Sequence, residues 1–389
     1  MNYIPRNITA KLQKAAQHFP AILLTGVRQC GKTTLLKHVF PKAHYVLLED
    51  PDVVYRVGRD PKGFLDNLKH PVILDEIQNI PELFGYIRTR IDANPEIAGQ
   101  WLLTGSQEAP LMQGITESMA GRLAVMQLYP LSVLETDKVS LLRGGFAEVV
   151  KKPAIADIWF QSYIQTYLER DVRGIAAIKD LSVFRRFMGL LASRHGNMLN
   201  KTDLAAPLGV SVPTISSWLN TLEITSQIII VPPYFENFGK RSVKSPKLYF
   251  TDSGLVCYLL GIDSMETMLK SPFYGTLFEG FVASEVIKYQ ANSYRRTELY
   301  YFRDQQGLEV DFVIPQGAGK LLLVEAKATK TLVPSMAQPL NRLTKSIDRY
   351  QTRSVIVHCG ILDTAIDQVL APGTIARDVK SLLNELYAL

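Results

Sequence analysis

The sequence contains few cysteines and no long apolar run. Its three cysteines, Cys30, Cys257 and Cys359, are odd in number and widely spaced, which fits neither a disulfide framework nor a metal-ligand pattern. A reducing compartment fits best, so we expect a cytoplasmic protein. No apolar run approaches the roughly 18 residues of a membrane span. The first apolar run, Ala21–Leu24, leads into a glycine loop rather than a cleavage site. We therefore expect no secretory signal and no membrane partner.

Internal repeats, low-complexity tracts and an extreme charge balance are lacking as well. Apolar residues make up 47% and charged residues 21% of the chain, which is typical of a globular protein and excludes a disordered, collagen-like or coiled-coil one. The 389 residues predict about two to three domains. Lysines and arginines number 43 against 37 acidic residues, a net charge of +6, which permits a nucleic-acid partner without requiring one.

The order of apolar and helical segments predicts three regions. Between residues 20 and 130, short apolar runs alternate with helical stretches, as in a parallel α/β sheet. Residues 155–225 have a helical pattern, two short strand-like runs follow, and from about 272 a helix precedes three strands. We therefore predict an α/β protein with domains at 1–175, 176–265 and 266–389.

A phosphate-binding loop follows the first apolar run. The motif G-x-x-x-x-G-K-[ST] is met by Gly26-Val27-Arg28-Gln29-Cys30-Gly31-Lys32-Thr33, between a buried run and a helical stretch, which is its proper context. Lys32 is expected to reach the β- and γ-phosphates of ATP, and the Thr33 hydroxyl to bind Mg²⁺. The nucleotide-binding residues predicted in this loop are Gly26, Arg28, Gly31, Lys32, Thr33 and Thr34.

Two carboxylates end a second buried run and complete the predicted ATP site. Asp75 is expected to hold Mg²⁺, and Glu76 to orient and polarise the attacking water. The next run ends with Thr104 and Ser106, either of which could sense the γ-phosphate. A positive charge from a neighbouring subunit often stabilises the transition state, and the candidates for it are Arg88, Arg90 and Arg122.

A helix-turn-helix is predicted in the middle of the chain. Asn200 and Ser211 have the chemistry of helix N-caps, and Gly209 allows the turn between the two helices. The two strands that follow would form a wing, tipped by lysines and an arginine at positions 240, 241, 244 and 247. The second helix carries no Lys or Arg, so the module could contact DNA through its wing, or the wing could be a solvated loop or a contact to the ATPase region.

Four residues in the last third form a candidate metal site. Asp311 and Glu325 fall on two strands joined by a short turn, and Lys327 follows Glu325 by two residues, on the same side of an extended chain. Glu279 lies on the preceding helix. Carboxylates packed together favour a hard cation between them, which could activate water for phosphodiester cleavage.

Taken in order, these motifs resemble one prokaryotic family of AAA+ ATPases, close to the archaeal-type ATPases, over nearly the whole chain. The resemblance implies an AAA+ P-loop domain, a helical winged-helix domain and a C-terminal domain similar to restriction endonucleases with a PD-(D/E)xK core. It implies ATP hydrolysis at Lys32, Asp75 and Glu76, and a nuclease pocket that holds Mg²⁺ or Mn²⁺. The motifs that carry it are Gly26–Thr34, Leu74–Gln78, Leu103–Ser106, Ala120–Arg122, Tyr167–Asp171, Pro246–Asp252, Gly275–Glu279, Glu309–Phe312 and Val324–Lys327.

Three functions are compatible with these features. The first is an ATP-dependent DNA-processing enzyme that cuts structured DNA and assembles into a homo-oligomer, such as a hexameric ring. The second is an ATP-gated regulatory or defence switch whose endonuclease-like domain binds DNA or a protein without cutting. The third is ATP-driven branch migration or unwinding without cleavage.

Overall fold

The structure is a computed structural model that describes residues 3–105, 119–168, 180–234, 244–347, 349–360 and 368–388. The chain divides into two compact units. One contains Met1–Leu131, Ile224–Ser226 and Ala291–Arg295, and the other contains Ser132–Glu223, Gln227–Gln290 and Arg296–Leu389. The predicted boundary near residue 175 falls outside the described residues.

The first unit is built on a parallel sheet, as the alternation of apolar runs predicts. Its described strands are ordered β2-β3-β4-β1-β5, and every pair is parallel. The strands are β1 (Ala21–Gly26), β2 (His44–Leu47), β3 (Val72–Asp75), β4 (Trp101–Thr104) and β5 (Leu123–Leu128). The helices are Thr9–His18, Lys32–Val39, Pro51–Arg59, Pro61–Asp66 and Leu83–Ala93. The three central strands are buried along their whole length, because parallel sheets are covered on both faces.

The second unit begins with short helices and a two-stranded antiparallel sheet. The helices are Ala147–Lys151, Ala156–Tyr163, Leu181–Ala192, Lys201–Ala205 and Val212–Ile224, followed by strands β6 (Ile228–Val231) and β7 (Lys247–Phe250). The predicted caps are confirmed, since Asn200 accepts from the Thr202 N–H at 3.0 Å and Ser211 from the Thr214 N–H at 3.2 Å. Whether these elements act as a winged helix stays a prediction.

The C-terminal part of this unit packs helices against a six-stranded mixed sheet. The described strands are ordered β12-β13-β11-β10-β9-β8. They are β8 (Tyr300–Arg303), β9 (Glu309–Pro315), β10 (Lys320–Lys327), β11 (Gln351–His358), β12 (Gln368–Ala371) and β13 (Thr374–Arg377). The helices are Ser253–Leu259, Met265–Lys270, Tyr274–Asn292, Gln338–Thr344 and Val379–Ala388. Among the described residues, no helix combines the length and apolarity that a membrane crossing requires.

The β9–β10 hairpin places two acidic residues side by side. The two strands are antiparallel, and the paired residues at their far end are Phe312 and Val324. Asp311 and Glu325 are the next residues on either strand, so their backbones are neighbours at the same edge of the sheet. A one-residue slip of either strand would turn its acidic side chain to the opposite face and separate the pair.

Candidate functional site

The glycine loop turns tightly between β1 and the helix Lys32–Val39. Gly26 has φ +136°, and a Cβ there would lie 1.9 Å from the Leu128 carbonyl oxygen, so only glycine fits this position. Lys32 is buried and its ammonium donates to the carbonyls of Gly26 at 3.1 Å and Val27 at 3.3 Å. The lysine therefore lies within the loop that its motif predicts to hold phosphate. Arg28 in the loop is half-buried, and Thr34 in the helix is exposed.

Asp75, at the end of β3, is held by three hydroxyl groups from three different elements. Thr33 donates to it at 2.9 Å, Tyr45 donates to Oδ2 at 2.8 Å, and Thr104 donates to Oδ1. Burial, followed by the bond to Asp75, raises the pKa of Tyr45. Three donors fix both oxygens of this carboxylate, so its direction is set before any ligand binds.

Glu76 leaves the strand in a left-handed conformation, with φ 61°. Its N–H donates to the Thr104 hydroxyl at 3.1 Å, and the Gln78 amide donates to its carboxylate. Thr104 therefore contacts the backbone of one acidic residue and the side chain of the other. Ser106, the other sensor candidate, lies outside the described residues.

The loop is also braced by an arginine near the start of the chain. Arg6 is buried and donates to the Cys30 carbonyl at 2.8 Å and to the Tyr129 carbonyl at 2.6 Å. It thus joins the middle of the glycine loop to the residue that follows β5. No sequence pattern indicates this role, because 24 and 123 residues separate Arg6 from its two partners.

Each arginine considered for the transition state pairs with an aspartate of its own unit. Arg122 and Arg88 both contact Asp92, the latter at 3.6 Å, and Arg90 contacts Asp66. The hydrogen bond from Arg122 lowers the pKa of Asp92. The Arg122 side chain is 35% exposed, so it is held at the surface, and its action on a neighbouring subunit stays a prediction.

A buried ammonium lies among the carboxylates of the second unit. Lys247 of β7 is 2.8 Å from Glu279, 2.7 Å from Glu309 and 3.9 Å from Asp311, and its side chain is 5% exposed. The Tyr249 hydroxyl also donates to Glu279, at 2.5 Å. This corrects the expectation that Lys247 lies at a basic wing tip. Lys247 and Tyr249 are two residues apart in the motif Pro246–Asp252, which places them on one strand face. This spacing is the signal that could have indicated a shared partner.

Glu325 and Lys327 contact each other on β10. Lys327 donates to Glu325 Oε1 at 2.7 Å, and the Ala326 N–H donates to Asp311 Oδ2 at 2.9 Å. The other oxygen of Glu325 is buried and makes no hydrogen bond. A buried carboxylate oxygen without a donor is costly, so this position is suited to a proton or a cation.

The pKa values of these carboxyl groups are raised. Burial, followed by the charge of Asp311, raises the pKa of Glu279 to about 7 and that of Glu325 to about 8. Burial raises the pKa of Asp311 as well. Asp311 thus opposes ionisation of Glu279 and Glu325, as expected when acidic groups share a dry site.

Comparison with known proteins identifies the first unit's main domain and the chain's relatives. Residues 18–136 match a family model described as an AAA domain. Uncharacterized protein Rv2008c of Mycobacterium tuberculosis and uncharacterized protein Mb2031c of Mycobacterium bovis are each 32% identical to the chain over 387 residues, which covers 95% of this chain and 85% of each relative. The chain belongs to the family of these mycobacterial proteins.

Two further family models match this member of the family. Residues 138–266 match a domain of unknown function (DUF8612), and residues 274–375 match another (DUF4143). Similar solved structures include the Walker-type ATPase PABY2304 of Pyrococcus abyssi, with a TM-score of 0.41 and 15% identity over 65% of this chain and 94% of that one. Another is the RuvB Holliday junction branch migration motor of Thermotoga maritima, with a TM-score of 0.32 and 16% identity over 58% and 89%. Because residues 18–136 match the AAA domain model, the N-terminal region is an AAA-type P-loop ATPase domain, which takes ATP and usually Mg²⁺.

The three predicted metal ligands of the second unit do not form one preassembled group. Throughout the described ranges, which include Glu279, Asp311 and Glu325, no three or more His, Cys, Asp or Glu residues are placed together to hold a metal ion. Lys247 and Tyr249 both bind the Glu279 carboxylate. Asp311 and Glu325 are therefore the two predicted ligands that remain for a metal. An open cleft of about 420 Å³ is lined by both, together with Glu309, Gln338 and Arg342.

Proposed function

We propose that this AAA-type ATPase processes DNA, and that its C-terminal region cuts phosphodiester bonds with Mg²⁺ or Mn²⁺ at Asp311 and Glu325. The observation that carries the proposal is that these two carboxylates line one cleft, where Glu325 also accepts a hydrogen bond from Lys327. The cleft is lined by acidic residues and by Arg342, a combination suited to a cation and a phosphate group together.

The donor set fits a hard divalent cation. Mg²⁺ is usually bound through one or two carboxylates and keeps several waters, so a pair suffices where three ligands are absent. The Glu325 oxygen that makes no hydrogen bond offers one such ligand, and Asp311 offers another. When bound, the metal would polarise a phosphoryl oxygen and lower the pKa of water. Lys327 holds the first oxygen of Glu325 and can balance negative charge on the substrate.

The ATP site would supply the energy for moving or remodelling the DNA. We assign phosphate binding to Lys32 and the loop around it, Mg²⁺ binding to Thr33 and Asp75, and the orientation of water to Glu76. Support comes from the fixed carboxylate of Asp75, which lies within a hydrogen bond of Thr33. We further propose that the protein acts as a homo-oligomer in which Arg122 reaches the nucleotide of a neighbouring subunit.

The nuclease half is tested by incubating the protein with ATP, Mn²⁺ and a panel of single-stranded, duplex, forked and four-way DNA. We expect cleavage of at least one substrate by the wild type, at least about 100-fold slower cleavage by Lys327→Ala, and unchanged cleavage by Lys320→Ala. Lys320 is an exposed lysine at the other end of β10 and serves as the matched control. If wild type and Lys327→Ala leave every substrate equally intact, the nuclease assignment is wrong.

A second candidate is a switch that binds DNA without cutting it. It is favoured by Lys247, whose ammonium already neutralises part of the carboxylate cluster. It predicts DNA affinity that changes between ATP and ADP, measured by fluorescence anisotropy, with no cleavage under any metal. The change with nucleotide would disappear in Lys32→Ala, whereas Asp311→Ala would retain it.

A further inference from the structure

Lys247 comes from a different part of the chain than the carboxylates it contacts. It lies on β7, within the region 138–266, whereas Glu279, Glu309 and Asp311 lie within 274–375. All four belong to the same compact unit. The ammonium is thus an addition from the middle region to an acidic cluster that the C-terminal region builds.

The ammonium is firmly placed. It makes two short ion pairs, at 2.8 Å with Glu279 and 2.7 Å with Glu309, and lies 5.5 Å from the centre of the Tyr301 ring. Only 5% of the side chain is exposed. Withdrawing it into solvent therefore requires the surrounding residues to move.

Strand β7 is held along both of its edges. It pairs with β6 on one side, and on the other side Leu199 N–H donates to the Pro246 carbonyl at 2.7 Å and Leu248 N–H to the Asn197 carbonyl at 3.1 Å. Residues 197–199 lead directly into the helix Lys201–Ala205. The position of Lys247 is therefore set by the middle region's own hydrogen bonds.

A fixed positive charge beside a cation site weakens cation binding. Lys247 lies 3.9 Å from Asp311 Oδ1, so a divalent ion bound to Asp311 would be repelled by a unit charge in a poorly screened site. The same ammonium also engages Glu279, which removes that carboxylate from the set that a metal could use.

We propose that Lys247 is a positioning residue that holds Glu279 and Glu309 as a built-in counter-ion and lowers the affinity of the Asp311–Glu325 pair for divalent metal. Metal loading is thereby tied to the position of β7. Because Lys247 acts on the metal proposed at Asp311 and Glu325, its role depends on the proposed function.

The test is Mn²⁺ binding to the full-length, nucleotide-free protein, measured from free Mn²⁺ by electron paramagnetic resonance. We expect Lys247→Met to bind Mn²⁺ roughly tenfold or more tightly than the wild type, and Lys247→Arg to resemble the wild type. Lys244→Met, which removes an exposed charge three residues earlier, is the matched control and should change nothing. Adding Asp311→Asn should abolish the gain. Mn²⁺ should also raise the melting temperature more in Lys247→Met than in the wild type.

The outcomes separate the two assignments. A merely structural lysine predicts the opposite sign, because loosening the cluster would weaken metal binding. Should Lys247→Met bind no more tightly while Asp311→Asn weakens binding in the wild type, the metal site stands and the role of Lys247 is wrong. Absence of any Asp311-dependent binding in both proteins refutes both. If Lys247→Met does not fold, Lys247→Met/Glu279→Gln removes both members of the pair and carries the same expectation.

Discussion

A single added methyl group at Gly280 should destabilise the second unit through a buried histidine. Gly280 follows Glu279 on the helix Tyr274–Asn292, and a Cβ there would lie 1.9 Å from His195 Nε2. His195 is 2% exposed, and its Nδ1 accepts from the Phe250 N–H of β7 at 3.1 Å. Burial lowers the pKa of His195 to about 3, so the ring is neutral. Because the ring is held by this hydrogen bond, it cannot move away from a new Cβ at position 280 without losing its bond to β7.

Two opposing terms set the size of the effect of Gly280→Ala. Alanine in place of glycine favours a helix by about 0.5–1 kcal/mol, whereas forcing an atom into a packed core costs about 1–3 kcal/mol. The clash is with a ring held on its other side, so we expect overpacking to win by about 1–2 kcal/mol. For a unit of this size that lowers the melting temperature by roughly 2–8 °C.

The assay is thermal unfolding followed by circular dichroism, with Gly275→Ala as the control on the same helix. A Cβ at Gly275 meets nothing within 4 Å, so that variant should be as stable as the wild type or slightly more stable. The double variant His195→Ala/Gly280→Ala should lose less stability than the sum of the single changes. A Gly280→Ala protein that melts at or above the wild-type temperature would refute the described packing of His195.

Two further predictions concern single side chains of the two sites. Tyr45→Phe removes one of the three hydroxyls that donate to Asp75. The Mg²⁺ concentration for half-maximal ATP hydrolysis should therefore rise several-fold, with little change in KM for ATP at saturating Mg²⁺. Equal dependence of the two proteins on Mg²⁺ would contradict this. Glu325 has a pKa of about 8 in the folded protein, above its ordinary value of 4.5, so its contribution to stability is full at low pH and is lost as pH rises through about 8. In urea unfolding between pH 5 and 9, the stability of the wild type should therefore fall as pH rises, by up to about 1.4 kcal/mol per pH unit. This fall should be shallower in Glu325→Gln. Parallel pH profiles of the two proteins would argue against a buried protonated carboxyl.

The geometry of the glycine loop and of Asp75 was predictable because its signals are local. A glycine loop between an apolar strand and a helix determines its own backbone path, and β3 ends with Asp75 wherever it lies in the sheet. Tyr45 was not predictable, because its contact with Asp75 depends on β2 being the neighbour of β3. A sequence pattern that specifies strands does not specify which strands pair.

The carboxylate site was only partly predictable. The turn between β9 and β10 indicated that Asp311 and Glu325 are neighbours, since hairpin pairing follows from a short connection. The sequence favours a wing position for Lys247, because a lysine after a loop is usually solvated. Its partners lie 32, 62 and 64 residues further along the chain, and only the packed structure brings them to the ammonium.

The paired charges near the cleft affect how strongly this surface would repel a polyanion. Four carboxylates at positions 279, 309, 311 and 325 face the cations of Lys247, Lys327 and Arg303. Burial raises the pKa of Glu279 to about 7 and that of Glu325 to about 8, so these two groups are partly protonated near neutral pH and the cluster is less negative than four ionised carboxylates would be. A nucleic-acid backbone could therefore approach this surface with less long-range repulsion than four ionised carboxylates would produce.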